Sequence, residues 1–405
     1  MTKNTFDVGI IGAGISGAFA ALKIAQKHKD IKTIIFDIGR PPGKRRRQLE
    51  GFLGCFPAGD GKLYPGDLDK VLEVADGRRA GHAYNWVLEN LKNACPTMKL
   101  VKDPSPNSSI NKKFKDNNYI INTNNYYQWK PESIHALSKQ MAEVLDCAQN
   151  LTFNFDNEVF RIVKRKDGFL ISTDSGDVVC KKIIICVGRS GWRWVTNLYK
   201  QLGITIDDNY ARFGVRVEIS GQHMKDFNKS HCTIIKDDLE IGPLSWNGTV
   251  IPEDHADLVI STFRSNENRW KSEKVSFSLT KSFYFENAGV HQADRLGKLA
   301  FLLFNDRVSK ERIKLLLKND SQLNLLPEYL WLTSSLKELD IFIPNLLNKG
   351  FFHVPNIIPN PSKINIKSNL ETDIDGMFVA GESAGIQGIL AAATMGSICG
   401  EGVCK

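Results

Sequence analysis

Eight cysteines are scattered along the 405 residues, and none of them forms a C-x-x-C pair. That absence excludes dithiol exchange of the usual kind, and the spacings fit neither a zinc site nor a dense disulfide framework. A reducing compartment is the expectation. No apolar run reaches the ~18 residues that a membrane-spanning helix needs, so no membrane insertion is expected. The opening MTKNT is polar and lacks the basic, apolar and cleavage regions of an export signal, which makes a cytoplasmic location the expectation. Neither sign of charge dominates. Fifty-three basic residues face 45 acidic ones, a net charge of +8 that a lysine-rich solvated surface accounts for. No cluster of His, Cys, Asp and Glu has metal-ligand spacing, and no metal is expected.

With 42% hydrophobic and 24% charged residues, the chain has the composition of a folded protein, and its length suggests two domains. Phe6 to Ile11 is an apolar strand, and Gly12, Gly14 and Gly17 follow it as G-x-G-x-x-G. Ala18, Ala20, Ala21, Leu22, Ile24 and Ala25 then supply a helix. A second apolar strand, Lys32 to Phe36, ends at Asp37. This is the βαβ nucleotide-binding unit in the context it requires. Gly12 permits the turn off the strand, Gly14 lets backbone approach a pyrophosphate, and Gly17 lets helix and strand pack closely. The amides from Ala13 through Ile15, Ser16 and Gly17 then face the phosphates at a helix N-terminus. Asp37, roughly 25 residues beyond the first glycine, is placed to accept from a ribose hydroxyl.

The other end carries a second strand–turn–helix. Gly376 to Ala380 is a short strand. Gly381, Glu382, Ser383 and Ala384 turn, and Gly385 to Gly388 lead into a small-residue helix from Ile389. A long dinucleotide with a tricyclic ring needs such a second anchorage. No second strand–G-x-G-x-x-G–helix appears mid-chain, so a separate nicotinamide domain is not expected. Between the ends, Val159 to Arg189 alternates in runs broken by DG and SG, a β-meander. It is followed by the apolar strand Ile183 to Val187 and the turn Gly188-Arg189.

Together these segments resemble flavoproteins with a glutathione-reductase-type FAD domain. Closer still, they are similar to FAD-dependent dehydrogenases that share Ala58-Gly59-Asp60-Gly61-Lys62-Leu63, Gly188-Arg189-Ser190, Phe213 to Glu218 and Phe378 to Gly388. The resemblance implies an α/β chain with a Rossmann-like, discontinuous FAD-binding domain and an inserted α+β substrate domain. The expected division is 1–75 and 356–405 for the two segments of the FAD domain, 76–150 for a helical and loop excursion, 151–190 for the meander and strand, and 191–355 for the substrate domain. It further implies that Asp37 is the ribose acid, with Ile38, Gly39 and Arg40 beside the ADP half. Gly59, Gly61, Lys62, Val159, Gly188 and Arg189 would line the cofactor. Gly381, Glu382, Gly385, Gly388 and Ile389 would approach the ribityl and flavin phosphate.

The stretch Gly51 to Pro65, GFLGCFPAGDGKLYP, combines four glycines with Phe52, Leu53, Phe56 and Leu63. It should return past the flavin, its glycines allowing close approach and its apolar side chains excluding water. Lys62 is the candidate cation near developing negative charge. Cys55 reads as a small buried hydrophobe. The run Lys44-Arg45-Arg46-Arg47 reads as a solvated rim or as a phosphate, acidic-substrate or tRNA contact. Asn107 to Lys130 reads as loops and short strands, and NNYYQWK within it as packing or a stacking surface. Pro131 to Ala148 reads as a helix. In the substrate domain, Arg216 and Arg264 could bind a carboxylate, and His291 could move a proton. The expected activity is hydride transfer between a small organic substrate and flavin, with FAD bound non-covalently and NAD(P)H as a transient visitor. Two rivals remain open: a flavoprotein acting on tRNA or another nucleic acid, and a non-enzymatic flavin-binding protein. Substrate and oligomeric state are left open.

Overall fold

The computed structural model describes residues 5–255, 258–264, 271–305, 307–359 and 363–405. The chain divides into two compact units. The first comprises Met1–Leu100, Tyr127–Asp208 and Pro361–Lys405; the second comprises Val101–Tyr126 and Asn209–Asn360.

The first unit is built on a seven-stranded mixed sheet. Five strands run parallel in the spatial order 151–155, 33–37, 5–11, 176–185, 377–379. In order of appearance along the chain that is 3-2-1-4-5, the doubly wound arrangement whose connections reverse between the first and fourth strands. Ile10, Ile11, Ile34, Ile35, Phe36 and Ile183 to Ile185 are all buried, as strands covered on both faces must be. The strand Gly176–Ile185 serves two structures. Gly176 to Cys180 pair antiparallel with Gly168–Thr173, which pairs in turn with Val159–Arg165 as a meander. Ile183 to Ile185 pair parallel with Met377–Val379.

Two helices stack tightly beside this sheet. The fingerprint helix Ile15–Lys27 buries its first eight residues, and the closing helix Ile389–Gly402 is apolar almost all round. An ideal Cβ on Gly396 would stand 2.0 Å from the Ser16 carbonyl oxygen, and one on Gly400 2.6 Å from that of Ala20. Glycine at these sites permits backbone-to-backbone contact that no side chain would allow. The helix Gly77–Ala94 packs on the same closing helix, and Asp76 caps it by accepting from the Arg79 amide.

The second unit holds an eight-stranded antiparallel sheet. Its order is 309–312, 351–359, 210–220, 274–284, 239–241, 233–236, 120–122, with 245–246 also on 274–284. A two-stranded hairpin, Thr249–His255 with Leu258–Arg264, accompanies it. The stretch 107–130, expected as loops and short strands, contains a helix at Ser108–Asp116. Asn107 caps that helix, and Ile110 and Phe114, one turn apart, bury its inner face against Phe342, whose ring stacks on Phe114 at 4.1 Å. Trp129, in NNYYQWK, is packing rather than a stacking surface: it is fully buried against Phe56 in the first unit.

Candidate functional site

In doubly wound sheets, ligands sit beyond the carboxyl ends of the strands, where the strand order reverses. Here that point lies between Thr5–Ile11 and Gly176–Ile185, and three loops from distant regions of the sequence meet there. Gly12 leaves the first strand at φ +99°, and a Cβ on it would stand 2.7 Å from the Cys186 carbonyl oxygen. Gly381 leaves the last strand at φ +65°, and its Cβ would stand 3.4 Å from Ser16 Oγ. Arg189, just past the fourth parallel strand, pairs with Glu382 at 3.3 Å. Ser383 Oγ donates to the Val187 carbonyl at 2.8 Å, and Tyr199 OH donates to the Ser383 carbonyl, so the loops after the fourth and fifth parallel strands are tied together. Burial of Tyr199 pushes its hydroxyl well above the ordinary range, keeping it a donor.

The fingerprint helix opens at Gly14 with no side-chain cap and no acid in its first turn. Its leading amides and the positive end of its dipole form an anion cradle, in which a bound negative charge gains about 0.3–1 kcal/mol or more. A Cβ on Gly17 would lie 1.9 Å from the Gly12 oxygen, which fixes the tightness of the turn. The closing helix differs. Buried Asp67 occupies its N-terminus, accepting from the Leu390 amide at 3.3 Å and from Lys70 Nζ at 3.0 Å, while Lys70 also donates to the Gln387 carbonyl. Burial pushes the Asp67 carboxyl up, against Lys70 and the Leu390 and Ala391 amides. Gly388, at φ +127°, leaves no room for a side chain, since its Cβ would lie 2.4 Å from that carboxylate. One helix N-terminus at this edge is therefore open to an anion, and the other is closed by the protein's own acid.

Asp37 ends the second parallel strand, Thr33–Asp37. Its Oδ2 accepts from the Ala13 amide at 2.7 Å, and its Oδ1 accepts from Gly39 at 2.7 Å and Gly51 at 2.9 Å. Burial raises its carboxyl, opposed by these three donors. A carboxylate offers about four lone-pair positions, so Oδ2 retains capacity for one further donor such as a ribose hydroxyl. Ile38 beside it is exposed, Arg40 Nε lies 3.9 Å from Asp156, and Val159 is buried at the start of the meander.

The glycine-rich stretch after Arg47 lies against the fingerprint. The Leu53 amide donates to the Ala13 carbonyl at 2.9 Å, and Gly54 approaches Gly14 closely. Phe52, Leu53, Phe56 and Leu63 are buried. Arg45 reaches into this stretch and donates to the carbonyls of Gln48, Phe52 and Gly54, while Arg47 pairs with Glu50 at 2.9 Å. The basic run is thus partly an internal brace, with Lys44 and Arg46 on its outer side. Lys62 Nζ lies 2.5 Å from Asp60 with its side chain largely covered. Gly61, at φ +77°, has the Trp129 carbonyl 2.4 Å from where a Cβ would be, and Gly59 ends the short helical turn at Phe56–Ala58. Cys55 is exposed, contrary to its reading as a buried hydrophobe: Phe52, Leu53 and Phe56 fill the core side of the stretch.

All the residues expected to hold a cofactor, Lys62 included, lie in the first unit, whereas Arg216, Arg264 and His291 lie in the second. His291 is exposed in the first turn of the helix Gly289–Leu303, and Arg264 ends the hairpin strand Leu258–Arg264. Arg216 is buried in the strand Tyr210–Ser220. Sequence reasoning missed Asp67, Arg45 and Tyr199. The tolerance of Gly388 for a facing carboxylate and the placement of Arg45 under a glycine loop are tertiary facts, and Tyr199 sits in an ordinary amphipathic helix.

No family model and no curated protein matches the sequence. Among solved structures, the chain is similar to glycine oxidase from Geobacillus kaustophilus, at 12% identity and a TM-score of 0.45, covering 99% of this chain and 95% of that one. It is similar to quinol fumarate reductase of E. coli at 10% identity and a TM-score of 0.48, covering 100% and 70%. A flavoprotein/dehydrogenase from Cytophaga hutchinsonii matches at 14% identity and a TM-score of 0.44, covering 99% and 78%.

Proposed function

We propose that this protein is an FAD-dependent oxidoreductase that exchanges a hydride with a small organic substrate. The observation that carries the reading is the convergence, at the point where the strand order reverses, of one open helix N-terminus with two further loops from the middle and end of the chain. A single glycine cradle takes the pyrophosphate of any dinucleotide. Three loops on one sheet edge suit a long dinucleotide with phosphates at one glycine turn and a ring system beyond it.

The residues fit such a group. The amides of Gly14 to Gly17 would take the pyrophosphate, and Asp37 has one acceptor position left for a ribose hydroxyl. Gly188, Arg189, Gly381 and Glu382 would meet the other half, where the Arg189–Glu382 pair supplies a donor fork and an acceptor side by side. Bound FAD would supply the two-electron redox chemistry that no side chain can provide. The chain's own residues bind and orient it. Phe52 and Phe56 exclude water beneath the glycine stretch, and the Asp60 carboxylate holds the Lys62 ammonium in place.

The test is an absorption spectrum of the purified protein, before and after anaerobic NADH or NADPH. Bands near about 375 and 450 nm report oxidised flavin, and their bleaching identifies a nicotinamide as donor. Persistence of the bands points to reduction by the substrate itself. A protein that carries no flavin and takes none up on reconstitution refutes the reading.

A further inference from the structure

In the sheet of the second unit, Lys274–Tyr284 lies beside Tyr210–Ser220, then come Phe351–Pro359 and the edge strand Ser309–Arg312. Registered partners on neighbouring strands point to the same face, as do residues two apart in one strand. Glu218 stands opposite Ser276 on one side and Phe351 on the other, and Phe351 stands opposite Arg312. Lys274 lies two residues before Ser276, and Lys310 two before Arg312. Lys274, Glu218, Phe351, Lys310 and Arg312 therefore share one face across four strands.

Glu218 is buried, with 2% of its side chain exposed. Its Oε1 accepts from Lys274 Nζ at 3.0 Å and also from Lys310 Nζ. His353 Nε2 lies 3.6 Å from the other oxygen. Burial holds that imidazole below the ordinary histidine range, so it adds no charge at neutral pH. Lys310 Nζ stands 4.5 Å from the centre of the Phe351 ring, and the Arg312 guanidinium carbon 5.6 Å from it. The ring face attracts both cations. Glu311, between them in sequence, alternates to the opposite face and accepts from Ser321 Oγ at 2.5 Å.

Three cations thus gather around one carboxylate, held in place by its oxygen and by an aromatic ring. Each ammonium carries three N–H donors and gives one to Glu218. The side chains of Lys274 and Lys310 remain 45% and 37% exposed, and Arg312 is exposed, so their other donors are reached from solvent. The positive charge left over matches a phosphate group, which carries about −1.5 to −2 at pH 7 and presents three acceptor oxygens. A carboxylate, with one charge and two oxygens, would leave part of this donor set unused.

We propose that Lys274, Lys310 and Arg312 form a binding site for a tetrahedral oxyanion of the phosphate class, either free phosphate or the phosphate of a small ester. The inference goes beyond the oxidoreductase reading and does not depend on it.

The experiment is isothermal titration calorimetry of the full-length protein with inorganic phosphate, with glycerol phosphate as the ester, and with acetate as the singly charged control, at one ionic strength. Phosphate is expected to bind saturably, and acetate about tenfold more weakly or worse. Glycerol phosphate binding tighter than phosphate identifies an ester as the ligand; the reverse identifies the free anion. Arg312→Met, which leaves both ammoniums on Glu218, and Lys310→Met should each weaken phosphate by about tenfold to a hundredfold. Lys310→Arg should restore most of the affinity. Lys112→Met removes an exposed lysine paired with Asp116 in the same unit and should change nothing. The fingerprint helix is itself an anion cradle, so the contrast between these variants and the wild type is decisive. Equal weakening by Lys112→Met and Arg312→Met reduces the effect to net charge and overturns the site. So does phosphate affinity that survives both Arg312→Met and Lys310→Met, acetate binding as tight as phosphate, or no phosphate binding below about 10 mM. If Lys310→Met fails to fold, Arg312→Met still decides. Flavin-loaded protein that ignores phosphate sinks this inference alone. Flavin-free protein whose phosphate binding requires Arg312 sinks the oxidoreductase reading and leaves the site standing.

Discussion

Two glycines of the first unit separate conformational strain from steric contact. Gly43 and Gly12 both adopt positive φ, +79° and +99°. A Cβ on Gly43 would meet nothing within 4 Å, whereas one on Gly12 would stand 2.7 Å from the Cys186 carbonyl oxygen and 2.9 Å from its carbon. Gly43→Ala therefore costs only the left-handed backbone conformation, about 1–2 kcal/mol. Gly12→Ala carries the same strain and must also push adjacent strand ends away from each other, adding about 1–3 kcal/mol of overpacking. In thermal melts of a domain this size, 1 kcal/mol moves Tm by about 2–4 °C. Gly43→Ala should lower Tm by only a few degrees, and Gly12→Ala by clearly more. Because relaxation of Gly12 drags the first helix amides away from the cradle, Gly12→Ala should also purify with less flavin, and Gly43→Ala should not. Equal Tm shifts and equal flavin content in the two variants would refute the claim that the fingerprint turn is held against Cys186.

Other expectations concern charge and thiols. Burial raises the Glu218 carboxyl, but His353, Lys310 and Lys274 outweigh it and hold it below the ordinary range. Its stabilisation is then present above the unfolded value of about 4.3 and is lost as pH falls below it. Glu218→Gln should cost about 3 kcal/mol at pH 7 and flatten the acid limb of a stability-versus-pH curve; an unchanged limb would discount the cluster. Asp37→Asn exchanges one of the two accepting oxygens for a donor, so an amide now bonded to the carboxylate loses its partner, a loss of about 1.5–3 kcal/mol with weakened flavin retention; both are read from melts and absorbance of the same sample. In native protein a maleimide should label Cys55 and Cys147 first. Cys180, Cys186 and Cys232, whose thiols burial pushes up to about 12, should stay silent until denaturant is added, as mass spectrometry of the adducts would show.

The sequence reveals most where a local pattern and a tertiary demand coincide. The first strand, glycine turn and helix are legible because the apolar periods and the glycine spacing describe one contiguous unit. The closing strand–turn–helix is legible for the same reason. Partners distant in sequence are not. Asp37 reads as a ribose ligand, yet most of its acceptor capacity is used by Ala13, Gly39 and Gly51, and nothing in the primary structure announces the amide of Gly51. Arg45 looks like one of four solvated cations, because a run of like charges conceals the member that turns inward. The helix Ser108–Asp116 hides in a stretch rich in Asn and Lys whose only apolar signal is Ile110 and Phe114. Ser276, Ser278 and Thr280 alternate with Val275, Phe277 and Leu279, and both sets are buried. Alternation implies a wet face, and only the three-dimensional arrangement shows that face to be covered.

The contact of the closing helix with the fingerprint helix also orders events in time. Ser16 and Ala20 meet Gly396 and Gly400 backbone to backbone, and the fourth parallel strand gains its outer neighbour only at Met377–Val379. On a ribosome adding about 5–20 residues per second, the first strand and its glycine turn wait roughly tens of seconds for those partners. Throughout that interval the apolar flank of the nascent fingerprint helix has no closing helix to cover it. The cradle is completed late, and chaperone protection should fall on the opening segment of the chain rather than on its end.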